Sequence, residues 1–318
     1  MVKIFAGSAN KPLAEKIAHS LSLSISPLEI HIFPDGEKRA RVLESVLDEH
    51  CVVVQPTAPP VDANYMELFF IVDALKRSGA KSVTVVISYL GYQRQDHVFR
   101  EGEGVSLEVV VKTLEAAGVD KVITFDLHTI RALEVFKIPV VHLSALPLFA
   151  EKIRRLIHPG GVHPRFAKAS PGEPATLNDA VLVSPDMGGV RRIKILSEML
   201  NNLPYAAIVK NRDLATGEIT VSEVQGELAK TAIIVDDMIA SGSTIAEGVR
   251  VLQKRGVEQI FVFATHAVFS ADAKKILEQA PLEKIFVTDS IEVPEEKRFN
   301  KLETLSVAGI ITKELQKS

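Results

Sequence analysis

The chain has 318 residues, a formal net charge of −3 and no long basic run, which excludes a dedicated nucleic-acid surface and leaves any polyanion it binds small and locally held. The length allows two domains that each bury a core, and no apolar run approaches the ~20 residues needed to span a bilayer, so no membrane partner is expected. Cys51 is the lone cysteine, which excludes an internal disulfide and a cysteine-based structural metal site, and the start Met-Val-Lys-Ile lacks a charged-then-apolar leader, so a cytoplasmic location is expected.

In chain order, residues 2–6 and 51–55 read as strands, with helical spacing of Leu13, Ile17, Ala18 and Leu21 between them. Cys51 opens the second of these as a buried strand residue. Helix 62–78 leads to strand 82–88, helix 107–117 to strand 121–126, and a short helix near Arg131 to strand 140–143. The second half repeats the scheme with helix 147–157, strand 180–184, helix 189–200, strands 205–209 and 231–235, helix 245–255, strand 259–265, helix 271–279 and strand 284–288. Strands alternating with helices imply right-handed βαβ units, hence an α/β fold with mostly parallel sheets covered on both faces. The expected division is residues 1–145, 146–300 and a terminal segment 301–318 that packs back on the first domain. Residues 158–178, rich in proline and glycine, read as an inserted loop. His158 and His163 there read as solvated residues, because no third metal ligand accompanies them.

The stretch from Thr231 to Ile245 carries the most chemistry. An apolar β-branched run ends in Asp236 and Asp237, and Ser241, Gly242, Ser243 and Thr244 then open a helix. Unpaired N–H groups and a partial positive charge at a helix start, with small hydroxyl residues around them, suit a phosphate. Two acids have the wrong sign for that phosphate, and suit sugar hydroxyls or a hydrated Mg²⁺ beside it. A sugar phosphate is the expected ligand, and a plain tight βα connection is the alternative. Further polar motifs fall at strand ends, where open α/β sheets collect ligands: Tyr92-Gln-Arg-Gln-Asp96, Asp126-Leu-His128, Ser184-Pro-Asp-Met-Gly-Gly189 and Lys210-Asn-Arg212.

With Phe33-Pro-Asp-Gly-Glu37 ahead of them, these motifs in this order resemble the series of the ribose-phosphate diphosphokinase (phosphoribosyl diphosphate synthase) family, over nearly the whole chain except 158–178. The resemblance implies two phosphoribosyltransferase-like domains, with Mg²⁺ as cofactor. It also implies transfer of the diphosphoryl group of ATP to the anomeric hydroxyl of ribose 5-phosphate, giving AMP and 5-phosphoribosyl 1-diphosphate. Lys210 and Arg212 match the family's catalytic pair, carried on a loop that closes over the phosphates. Arg94, Gln95, Asp96 and His128 match ATP-binding positions, and His128 and Asp186 match Mg²⁺-associated ones. Asp236, Asp237, Ser241, Gly242, Ser243 and Thr244 match the ribose 5-phosphate site. Phe33, Asp35 and Glu37 match the adenine-recognition segment, which the family lends to a neighbouring subunit, so a homodimer or higher homo-oligomer is implied. Without the family, Phe-Pro-Asp-Gly reads as a turn.

Two departures stand out. Ala240 replaces a third acid usual in bacterial members, and Ser241 replaces a threonine. The acidic run around Glu101 and Glu103 replaces a basic stretch that serves phosphate and ADP regulation in many bacterial members. A base-using phosphoribosyltransferase and a non-catalytic, nucleotide-binding regulatory paralogue are the rival readings.

Overall fold

The computed structural model describes residues 2–157, 180–212 and 219–317. Two compact units form. One takes the chain up to Ser144, then Asp289–Val293 and the segment from Ser306; the other takes Ala145–Thr288 and Pro294–Leu305.

In the first unit, β1 (Val2–Ala6), β4 (His50–Val54), β5 (Ser82–Ile87), β6 (Lys121–Phe125) and β7 (Val140–Leu143) form one sheet in the order β1-β4-β5-β6-β7, every pairing parallel. Helix α1 (Lys11–Ser20) starts where the Asn10 side chain accepts the Leu13 N–H, and it buries Leu13, Ala14, Ile17 and Ala18 at helical spacing. Helices α2 (Val61–Arg77) and α3 (Ser106–Ala117) cover the sheet with Leu68, Ile71, Leu75, Val111 and Leu114. The segment near Arg131 is a 3₁₀ helix, Ile130–Val135. Cys51 is buried, and burial pushes its thiol up to about 11, so it is an inert core residue.

A hairpin in this unit was not read from the sequence. Between α1 and β4 lies an antiparallel hairpin of β2 (Leu28–Ile32) and β3 (Lys38–Val42), separate from the main sheet. Phe33–Glu37 is its tip. Phe33 N–H donates to the Glu37 carbonyl at 2.8 Å, and Gly36 supplies the positive φ, 91°, that the turn requires. The hairpin is fastened through Lys38, whose ammonium lies 2.7 Å from the Glu67 carboxylate of α2. Glu67 is 1% exposed and also accepts from Ser8 N–H (2.7 Å), Ser8 Oγ (2.8 Å) and Gln55 Nε2 (3.3 Å), so its charge is paired and its lone pairs are filled.

In the second unit, α4 (Leu146–Ile157), β8 (Ala180–Ser184), α5 (Val190–Met199), β9 (Tyr205–Arg212), β10 (Ile219–Gln225), β11 (Thr231–Ile239), α6 (Ser243–Lys254), β12 (Gln259–Ala267), α7 (Ala273–Gln279), β13 (Lys284–Thr288) and β14 (Leu302–Leu305) follow in sequence. The sheet order is β10-β9-β8-β11-β12-β13-β14, parallel except for β10. Phe149, Phe263 and Phe286 fill its core, the last two stacked at 4.6 Å. The expected loop 158–178 lies outside the described residues; the expected strands and helices are present, and β10, β14 and a helix Ala308–Leu315 are additional elements that the sequence reading did not include. Among the described residues no helix is long and apolar enough to cross a membrane.

The last helix, α8 (Ala308–Leu315), packs on α1. Asp289 locks this arrangement. Its carboxylate takes Lys16 Nζ and Val307 N–H, both at 2.8 Å, and its carbonyl takes Asn10 Nδ2 at 2.8 Å.

Removing Glu67 strands a lysine, a hydroxyl and a backbone N–H. Glu67→Ala is therefore expected to destabilise the first unit by about 3–5 kcal/mol, read as a lowered urea midpoint, with the Phe33–Glu37 hairpin among the first segments to exchange its amides.

Candidate active site

Because the strands of each sheet core run parallel, the segments that follow them leave at one edge. In the first unit that edge gathers the turn after β5, the loop after β6 and the Gly7–Asn10 loop after β1. The turn after β5 is held from beneath. Thr57 Oγ1 bonds the Tyr89 carbonyl (3.1 Å) and the Gly91 N–H (2.8 Å), and Tyr65 OH donates to the Gly91 carbonyl at 2.9 Å. Within Tyr92-Gln-Arg-Gln-Asp96, Arg94 and Gln95 are exposed, whereas Gln93 is buried and the Asp96 side chain is 3% exposed.

The two inward residues reach the loop after β6. Gln93 Oε1 accepts the His128 N–H at 2.8 Å, and Asp96 Oδ2 accepts the Thr129 hydroxyl at 2.5 Å while Oδ1 meets His97 Nδ1 at 2.6 Å. Burial pushes the Asp96 carboxyl up, but the Thr129 and His97 hydrogen bonds outweigh it and hold the group below its ordinary range. His128 itself is exposed. The structure thus brings Arg94, Gln95, Asp96 and His128 to one edge. Phe33 sits on the hairpin tip, half-buried, edge-on to His31 at 4.6 Å and beneath the Arg39 guanidinium at 5.7 Å; Asp35 and Glu37 are exposed there.

The second unit holds the other group. β11 does not stop at the two acids, as the sequence reading had it. It runs on to Ile239 because β12 continues beside it, Asp236 opposite Ala264 and Ile239 opposite Ala267, beyond the last pairing with β8 at Ile234. Asp236 and Asp237 therefore sit on a rigid strand. The Asp237 N–H donates to Asp236 Oδ1 at 2.8 Å, and the Met238 N–H to Asp237 Oδ1 at 3.0 Å. Gly242 caps α6 with φ of 78°, and a Cβ there would meet Leu277 Cγ at 3.0 Å, so the position needs glycine twice over. Ser241 Oγ and Ser243 Oγ lie 2.8 Å apart at this helix start, with Thr244 half-buried behind them. Ala240 adds no acid, and its carbonyl accepts the Ser270 N–H.

Arg192 was missed by the sequence reading. It lies in the first turn of α5, three residues past Gly189, with its guanidinium 3.7 Å from Asp236 Oδ1 and 4.0 Å from Asp237 Oδ2. The signal was a basic residue closely following a motif already marked. Burial, and then the charge of Asp237, push the Asp236 carboxyl well above the usual carboxylate range, and Arg192 opposes them. Asp186 is exposed on the turn before α5. Its Oδ1 accepts the Gly189 N–H at 3.1 Å, and its Oδ2 has no protein partner among the described residues. Lys210 and Arg212 lie within β9, paired in a hairpin with β10 (Lys210 opposite Val221, Arg212 opposite Ile219), rather than on a loop that begins at Lys210. β10 supplies backbone partners that extend the strand past Val209. Residues 213–218, expected to form the mobile part, lie outside the described residues.

The family model described as the N-terminal domain of ribose phosphate pyrophosphokinase matches residues 2–118, and the phosphoribosyl synthetase-associated domain matches residues 191–317. A ribose-phosphate pyrophosphokinase of Fusobacterium nucleatum is 38% identical over 97% of this chain and 92% of its own length, and one of Gloeobacter violaceus is 36% identical over 98% and 88%. The crystal structure of phosphoribosylpyrophosphate synthetase from Mycobacterium smegmatis is similar at a TM-score of 0.84 and 31% identity, covering 99% of this chain and 97% of that one.

A carboxyl raised in the folded state penalises folding once it must ionise. Stability tied to Asp236 is therefore full below its ordinary value of 3.8 and is lost as pH rises from there through the raised folded value. Asp236→Asn keeps the acceptor for the Asp237 N–H and removes the second charge, so its thermal midpoint is expected to exceed the parent's at pH 7 and to converge on it near pH 4. Melting curves across that range check this.

Proposed function

The chain belongs to the ribose-phosphate pyrophosphokinase family, and from that premise we propose how its residues divide the work of making 5-phosphoribosyl 1-diphosphate. The enzyme transfers the diphosphoryl group of ATP to the anomeric hydroxyl of ribose 5-phosphate and releases AMP. The observation that carries the division of labour is the acid pair of β11 beside the Gly242-capped start of α6. In our reading the first-turn N–H groups of α6 and the hydroxyls of Ser241, Ser243 and Thr244 hold the 5-phosphate. Asp236 and Asp237 accept from the ring hydroxyls, which turns the acceptor's anomeric oxygen toward the donor. Arg192 keeps the two acids close enough to act together.

Transfer of a diphosphoryl group builds charge on phosphate oxygens, and the protein answers with positioning and cations. Lys210 and Arg212 are assigned to that charge, the arginine as a two-oxygen clamp and the lysine as a mobile point charge. Arg94, Gln95 and His128 orient the triphosphate, while Phe33 stacks on adenine and Asp35 and Glu37 accept from its amine. Asp186 is assigned to Mg²⁺ in the second unit, and His128 in the first keeps the Mg²⁺ association that the family resemblance implies. The exposed Asp186 carboxylate, one oxygen taken by Gly189 and the other without a partner among the described residues, fits a cation that binds one or two protein groups, waters and phosphate oxygens. Charge neutralisation on the transferring oxygens comes from Mg²⁺ when it is bound.

A homodimer or larger homo-oligomer belongs to the same reading. The hairpin tip displays Asp35 and Glu37, and Ile32 beside it is 60% exposed, as suits an arm reaching a neighbouring subunit. A cytoplasmic setting belongs to the same reading.

Incubation with ribose 5-phosphate and Mg-ATP is expected to yield AMP and phosphoribosyl diphosphate in equal amounts; ADP as product, or nucleotide binding without turnover, would overturn the reading. Lys210→Ala should lower kcat by about 10²–10³-fold with little change in ATP affinity.

A further inference from the structure

The loop that carries His128 is held at four successive residues. Asp126, a non-glycine residue with φ of 31°, receives the Ser144 hydroxyl on its carboxylate at 2.7 Å and donates its N–H to the Leu143 carbonyl at 3.0 Å. Leu127 N–H donates to His142 Nε2 at 3.0 Å, His128 N–H to Gln93 Oε1 at 2.8 Å, and Thr129 Oγ1 to Asp96 Oδ2 at 2.5 Å. Strand β7 and its end thus hold the first two residues, and the turn after β5 holds the last two. The amide orientation of Gln93 follows from its partner, since an N–H can only meet Oε1. Gln93 Nε2 is buried and finds no hydrogen-bond partner among the described residues, so the bond to His128 is what this side chain contributes at that depth.

The burial pattern divides the motif. Arg94 and Gln95 face solvent, while Gln93 and Asp96 on either side of them turn inward to the His128 loop. We propose that Gln93 and Asp96 are positioning residues, which fix the 126–129 loop to the turn after β5 so that His128 and the Arg94–Gln95 pair meet the ATP phosphates as one preset surface. Asp96 acts through Thr129 and does not touch the nucleotide, a change from the ATP-binding role that family resemblance implied for it. The proposal rests on the reading of Arg94, Gln95 and His128 as nucleotide-contacting groups.

The pairing makes separable demands on the side chain. Thr129 needs an acceptor at Asp96 and no negative charge, and an asparagine supplies that acceptor. A nucleotide or metal contact by Asp96 would instead need the charge itself. The test therefore compares Asp96→Asn, Asp96→Ala and Gln93→Ala in the full chain, by amide exchange of residues 127–129, by ATP affinity measured calorimetrically without metal, and by steady-state kinetics.

Expected are exchange raised about tenfold and a KM for ATP raised about tenfold in Asp96→Ala and Gln93→Ala, with the KM for ribose 5-phosphate held within twofold and most of the Asp96→Ala loss recovered in Asp96→Asn. An Asp96→Asn variant as impaired as Asp96→Ala overturns the proposal, as does unaltered exchange in both alanine variants. Raised exchange with unaltered ATP affinity and kinetics also overturns it, by showing that the loop's placement does not serve the nucleotide. If His128→Ala leaves ATP use intact, the underlying site reading fails, and that result is separate from the exchange data on the loop.

Discussion

Parallel strands cannot be joined by tight turns, and most of this molecule follows from that constraint. Each strand of a parallel sheet must be followed by a segment that leaves at the carboxyl edge and a helix that carries the chain back. The leaving segments are the polar ones: Gly7–Asn10, the turn after Ile87, the loop after Phe125, the turn after Ser184 and the start of α6. The apolar strands beneath them are buried on both faces, Val85, Val86 and Ile87 in one unit and Ile233, Ile234 and Val235 in the other. Chemistry is therefore confined to edges whose positions the cores determine, and the glycine at 242 lets α6 begin close against Leu277.

Charge at these edges is handled in two ways. Glu67 is surrounded by donors and a lysine, so its ionised form is comfortable and serves as a fastening. Asp236 is placed against a second acid with one arginine nearby, so its ionised form is strained. The first arrangement is that of a joint. The second stores electrostatic tension that a bound polyol or cation can relieve, which is a common state for groups that meet a substrate.

Much of the fold was legible because the signals were local. Buried runs such as Ala180–Ser184 and Lys284–Thr288 are short, β-branched or aromatic and bounded by turn residues, and α1 announces itself with the apolar spacing of Leu13, Ile17 and Ala18. The hairpin Leu28–Val42 was invisible for a physical reason: its strands pair only with each other and are half-exposed, so they lack the hydrophobic run of a core strand. The length of β11 was misread because the support for its far end comes from β12, which the acids themselves do not reveal. In the candidate site, Asp236, Asp237 and the 241–244 turn could be read from residue type alone. Arg192 and Gln93 could not, since their roles depend on partners 44 and 35 residues away that no motif spacing encodes.

The Asn10–Asp289 hydrogen bond spans 279 positions, and it sets the order in which the two units can be finished. All five strands of the first sheet precede residue 144, yet α1 lacks its Asp289 anchor and its partner helix until residues 289–315 have been made. The unit that begins first is thus the one completed last. Closing so long a loop is less demanding once the intervening residues have already collapsed into the second unit, which shortens the free chain between the two ends. A nascent chain therefore carries a paired amino-terminal sheet whose α1 lacks the Asp289 anchor and the α8 partner until residues 289–315 have been made.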